Sequence, residues 1–314
     1  MEGPVCPVLP NELWIRILRS LDTDDDLSFL WITCRNVSST FKDATECIFR
    51  ERLLPYLRIN FLLGEYTPPV RSDRRFSAIP LTCEFEFDRL SEDKYTATLS
   101  LDKEITEEMS DDLKYHSKRL RQVMGESHIE MPKHTIQIRR EVNDGPIPSV
   151  AFNYDKLQLS CDWRALFSEF YGEEFLYHKF SAEAASKKLG WLKDLREKVD
   201  RKEIDAMAVI QKALHAFADD SSIARKMARR ARVTRQFAEW NGTEWDFARD
   251  GDEEQEEGIL KNLQQFRQWA SLGEWSDDEE ADEDDSEEDD DDSVEEGSGE
   301  GWETDDDEGS AEDD

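Results

Sequence analysis

The residue types that could do bond chemistry are present in this chain but scattered. Its five histidines (His116, His128, His134, His178 and His215) lie far apart, with neither an HExxH pair nor metal-ligand spacing. Five cysteines (Cys6, Cys34, Cys47, Cys83 and Cys161) include no CxxC pair. No glycine-rich phosphate loop or nucleophile elbow is found. Carboxylates are paired densely only near the C-terminus, in sequence too flexible for general acid–base work, which needs fixed geometry. Divalent ions would bind there loosely and with little selectivity. No catalytic residue, metal ligand or cofactor is therefore expected, and the chain reads as a non-enzyme. Binding chemistry remains. Six Arg or Lys fall within residues 225–235, a cationic helix face of the kind that attracts nucleic acid or an import receptor. Aromatic residues are not interleaved with these charges as a stacking platform would require. A solvated helix edge that neutralises nearby carboxylates is the simpler reading, and nucleic acid is not expected as a partner.

Charge is unevenly placed. The formal net charge is -34 over 314 residues, with 74 Asp and Glu against 40 Lys and Arg. Residues 274–314 hold 26 of those acids and no Lys or Arg. The remaining 48 acids and 40 bases leave a mildly acidic body. The acidic tail cannot bury enough apolar surface to offset chain entropy and is expected to be disordered, extended by self-repulsion. Within it Ser276, Ser286, Ser293 and Thr304 each precede an acidic residue by three positions. They are candidate sites for acidophilic kinases, whose product would add negative charge. No apolar run approaches the ~18 residues of a membrane span. With no signal segment and no cysteine framework, a reducing cytoplasmic and/or nuclear compartment is expected.

The N-terminal fifty residues ask for something to pack against. Leu13, Trp14, Ile17, Leu18 and Leu21 recur at helical spacing over about Asn11 to Leu21. The run DTDDDL supplies acidic N-caps for a second helix carrying Leu27, Leu30 and Trp31. A third carries Val37, Phe41, Ala44, Ile48 and Leu53. Three short helices form only a marginal core alone.

Leu9-Pro10, Glu12-Leu13-Trp14, Ile17-Leu18, Leu21, Asp26-Leu27 and Cys34-Arg35-Asn36-Val37-Ser38 with Phe41 together resemble an F-box, in the version seen in many fungal F-box proteins. Where that family often has a Trp near the end, this chain has Phe49. The resemblance spans about residues 8–55. It implies binding to the Skp-type adaptor of a cullin–RING (SCF) ubiquitin ligase, while the rest of the chain recruits an unidentified protein target. Exposed edges of Leu9, Pro10, Leu13, Ile17, Leu18 and Leu27 would enter an apolar groove on the adaptor. Leu21, Leu30, Val37, Phe41 and Ile48 would form the F-box core. Trp14 and Trp31 are expected to pack against the body.

Beyond residue 56 the hydrophobic period changes to two. Leu57–Leu63, LTCEFEFD (81–88), KYTATLSLD (94–102), HTIQIRREV (134–142), PSVAFNY (148–154) and KLQLSCDW (156–163) read as about six strands of a mostly antiparallel sheet. The NDGPIP stretch and Asp155 mark turns, and ITEEMSDDLKYHSKRLRQVM reads as a surface helix or long excursion. From Arg164 the period becomes helical. The expected fold is α+β, a three-helix N-terminus and a sheet covered by C-terminal helices. Its divisions are 1–56 (F-box), 57–163 (β-rich), 164–249 (helical), 250–273 (acidic linker and amphipathic helix) and 274–314 (tail). Two other readings of the acidic tail stand beside the ligase adaptor. One is a binding protein or chaperone for basic partners of the histone or ribosomal-protein kind. The other is an intramolecular screen over the 225–235 basic face.

Overall fold

The computed structural model describes residues 9–21, 23–66, 79–101 and 113–272. The chain divides into two units, 1–275 and 276–314, and all the described residues belong to the first. The tail with Ser276, Ser286, Ser293 and Thr304, the TPPVRSDRR connection and the start of the ITEEMSDDLK segment lie outside the described residues.

Helices α1 (Asn11–Arg19), α2 (Asp24–Ile32) and α3 (Ser39–Arg52) come first, with a 3-10 turn at Cys34–Asn36. The cap of α2 is Thr23, whose hydroxyl accepts from the Asp26 amide at 3.3 Å, so the aspartates of DTDDDL are not the capping residues. Ser38 caps α3 in the same way, accepting from the Phe41 amide. Strands β1 (Leu57–Tyr66), β2 (Ile79–Leu90) and β3 (Thr96–Leu101) follow, then α4 (Leu113–Glu126). Next are β4 (His134–Ile138), β5 (Glu141–Asn143), β6 (Ala151–Asn153) and β7 (Gln158–Asp162). The chain continues with α5 (Trp163–Asp200), α6 (Ala206–Asn241), the short α7 (Phe247–Asp250) and α8 (Glu253–Ala270).

The fold is α+β, with seven antiparallel strands in the order β5-β4-β1-β2-β3-β7-β6. One more strand forms than the expected six because HTIQIRREV is interrupted. Arg139 takes φ +53° and the chain doubles back, pairing Ile138 with Glu141. Alternation places Leu57, Ile59, Phe61 and Leu63 inside, with Cys83, Phe85, Ala97, Leu99, Ile136 and Leu159 from neighbouring strands. The sheet is strongly curled. Phe61 on β1 contacts Phe152 on β6, with ring centroids 5.6 Å apart, four places along the strand order. Flat strands ~4.8 Å apart would separate those positions by roughly 19 Å. A bulge in β1 at Gly64 (φ +97°) lets Arg119 of α4 approach closely and donate to the Leu63 carbonyl at 2.8 Å. A Cβ there would lie 2.9 Å from that guanidinium. Helix α4 is thus no loose excursion: Leu120 and Val123 are buried in the main core.

The C-terminal helices do not cover the sheet as expected. Helix α5 enters the core only through its first turns, with Trp163, Leu166, Phe167, Phe170 and Tyr171 buried, and beyond them α5 and α6 pack chiefly on one another. The geometry requires it, because a 38-residue helix is roughly 57 Å long whereas a five-residue strand spans about 17 Å. Leu189, Met207, Ile210 and Leu214, apolar residues of these two helices, are exposed. The acidic run at 250–257 is also no linker. Asp252 caps α8, accepting from the Gln255 amide at 3.1 Å, and Glu253, Glu254 and Glu256 occupy its first turn, where the helix dipole favours them. Helix α8 docks on β5, with Leu263 and Ala270 closing over Val142.

Candidate partner-binding surface

The three N-terminal helices are held by aromatic packing. Trp14 on α1 meets Phe41 on α3 with ring centroids 4.5 Å apart. Trp31 on α2 is surrounded by Phe49, Trp163 and Phe167 at 4.7, 5.9 and 5.5 Å, and its indole N–H donates to Ser168 Oγ at 3.1 Å. The support these helices need is therefore supplied by α5, and one core runs unbroken from Leu18 to Tyr171. A buried carboxylate reinforces the seam. Glu46 of α3 accepts from Arg35 (2.9 and 2.7 Å) and from Arg164 Nε of α5 (2.6 Å). Burial alone would raise its pKa; hydrogen bonds and charge from Arg164 and Arg35 outweigh that and hold it below the usual carboxylate range. At the far end of α2, His178 Nδ1 lies 2.7 Å from Asp25 Oδ1.

With the inner faces committed, the outer face of α1 is apolar. Pro10 is exposed, Leu13 is 41% exposed and Ile17 48%, at three- and four-residue spacing along one stripe. Leu9 is half-buried. Leu18 and Leu27, expected at the adaptor groove, are each only 4% exposed and belong to the core. The reason is periodicity: Leu18 follows Trp14 by four residues and shares its inward face. Val37 departs in the other direction. Expected in the core, it is 65% exposed, because the 3-10 turn carries it outward before α3 begins. Leu30 and Ile48 are buried, and Leu21 and Phe41 are half-buried against the core. Phe29, 46% exposed, was missed by sequence reasoning. Its signal was available, since it lies off the stripe of Leu27, Leu30 and Trp31 on α2.

The 225–235 segment is not a free basic face, and only part of it is solvated: Arg229 and Arg232 are buried, while Arg235 is exposed. Arg229 donates twice to Asp144 (2.9 and 2.7 Å) and once to the Glu130 carbonyl. Arg232 bridges Asp144 and Glu173 with all three side chains buried. Arg225 pairs with Glu141 (2.8 Å) and Glu174 while lying 3.5 Å over the Tyr177 ring. Arg230 forks onto Glu256 and Arg235 reaches Glu169 at 2.5 Å. Lys226 contacts Glu253 at 3.3 Å. Each of the six cations thus has a carboxylate partner, as the reading of a helix edge that neutralises nearby carboxylates expects, and a free basic face is absent among the described residues. These charges instead clamp α6 to β5, α5 and α8. Asp144 is buried, which opposes ionisation, yet Arg229 and Arg232 hold it at about 2.

Several groups able to do chemistry are sealed in. Cys83 and Cys161 are pushed up to about 12 by burial, leaving neutral thiols rather than nucleophiles. His134 is buried with Nε2 2.7 Å from the Gly145 carbonyl oxygen, and burial lowers its pKa. Among the described residues, no group of three or more His, Cys, Asp or Glu is placed to hold a metal ion, and no helix is long and apolar enough to cross a membrane. No family model, curated protein or solved structure matches this chain.

Proposed function

We propose that this chain is a non-catalytic F-box substrate receptor. In this reading α1 and its neighbours bind a Skp-type adaptor of a cullin–RING ubiquitin ligase, and the α+β body recruits a protein target. The observation that carries it is the apolar stripe Pro10, Leu13 and Ile17 on a helix whose opposite face is locked down through Trp14 and Leu18. A preorganised apolar helix face is the form needed for groove binding, where a few central anchors supply most of the affinity. Val37 and Phe29 add apolar surface on the same three-helix unit. Leu18 and Leu27 act indirectly in this arrangement, by positioning α1 and α2.

The test is binding of the full chain to purified Skp-type adaptor, with Leu13→Asp and Ile17→Asp combined as the variant. Both side chains are exposed, so the thermal midpoint should stay unchanged while affinity falls on the order of a hundredfold or more. No binding by the parent chain, or equal binding by the variant, would overturn the proposal. The localised charge favours a second role, capture of basic proteins by residues 274–314, which hold 26 acids and no base. Such binding would weaken steeply with salt, unlike the apolar contact on α1.

A further inference from the structure

A cleft of about 530 Å³ lies beside α6 and α8, with Tyr177 of α5 at its wall. Four cations line it, Arg225, Lys226, Lys261 and Arg267, against a single lining carboxylate, Glu257. Two of the four are already engaged: Arg225 by Glu141 and Glu174, and Lys226 by Glu253 and Glu256. Lys261 and Arg267 differ. Neither side chain has a hydrogen-bond or ion-pair partner among the described residues, and Arg267 Nε is shut away from solvent. Burial, with Arg225 beside it, pushes the Arg267 guanidinium below its usual range, against the longer-range attraction of Glu174, Glu141 and Glu173. Arg225, Arg229, Arg230 and Arg232 each have a carboxylate in contact. A guanidinium buried with none in contact is costly, and an anion supplied from outside would offset part of that cost.

We propose that this cleft binds a phosphomonoester, held by Arg267 and Lys261 with Ser222 and Gln264 as neutral donors. A guanidinium fork matches two oxygens of a phosphoryl group, and the ammonium adds a second charge for the dianion. Ser222 and Gln264 line the same cleft and have no other partner among the described residues. Leu260 and Tyr177 offer an apolar wall for the esterified group. Glu257 disfavours a second phosphate, so a singly phosphorylated ligand fits better than a polyphosphate. The volume falls within the usual range of small-ligand sites. None of these residues lies on α1, and the inference stands apart from adaptor binding.

The experiment is calorimetric titration of the full chain at physiological salt. Its probes are phenyl phosphate and a neutral phosphoserine peptide, with the unphosphorylated peptide as control. One saturable site is expected for the phosphorylated probes and none for the control. Lys261→Glu, at an exposed position, should weaken that site tenfold or more without moving the thermal midpoint. Arg267→Gln should weaken it too; if that chain fails to fold, Lys261→Glu alone decides. A peptide affinity at least tenfold above that of phenyl phosphate would identify the source as a phosphorylated protein side chain, and similar affinities a free organic phosphate. No saturable binding by either phosphorylated probe, or unchanged affinity in Lys261→Glu, would overturn the proposal.

Discussion

Helix α5 is gripped at its start by two regions that use opposite physics. On one side, Trp31 and Phe49 from the N-terminal helices pack on Trp163, Phe167 and Tyr171, an aromatic seam with the one buried carboxylate Glu46. On the other, α6 is fastened to Glu173, Glu174 and the loop residue Asp144 through Arg225, Arg229 and Arg232. The aromatic seam is non-directional and tolerates small rearrangements. The ionic seam returns its desolvation cost only if every partner is in register. It is consequently the more specific of the two and the more exposed to changes of protonation.

Breaking each seam should distinguish them. Trp31→Ala removes a fully buried aromatic from the centre of the first and should cost about 4 kcal/mol in denaturant-measured stability, nearly independent of pH. Asp144→Asn leaves Arg229 and Arg232 without a charged partner at their common centre and should cost about 3 kcal/mol at neutral pH. That difference should shrink as the parent chain is taken through the acid range toward the value of about 2 at which Asp144 is held. A cost below that of a surface substitution would mean that the ionic seam is dispensable.

A third effect sharpens the contrast in pH. Burial raises Glu174 to about 8, Arg225 opposing and Glu141 assisting the shift. Between its ordinary value of 4.5 and about 8, the folded chain holds a proton that the unfolded chain has released. Linkage then makes this group's contribution fall as pH rises through that window. Subtracting the Glu174→Gln profile from that of the parent should isolate this downward slope. A flat difference would show that Glu174 stays ionised beside Arg225.

Legibility in the sequence followed the same division. Period-two alternation revealed β1 through Leu57, Ile59, Phe61 and Leu63 because each inward residue has the same simple requirement, removal from water. The stripe of Leu13 and Ile17 was visible for the same reason. Which of the α1 and α2 leucines face outward was not, since periodicity groups Leu18 with Trp14 and Leu13 with Ile17 but only α3 and α5 decide which face is covered. Arg139 gave no turn signal, being neither Gly nor Asn, and so the break between β4 and β5 was hidden.

By itself, then, the sequence determined the local elements: helix against strand, and an apolar stripe on α1. Those depend on periodicity. Only the tertiary structure decided the fate of the charges. Asp144 precedes Arg229 by 85 positions and Glu173 precedes Arg232 by 59, and no local pattern marks either pair. A row of six cations looks identical whether it faces water or a set of carboxylates, because the free energy of a charge is set by what surrounds it in space.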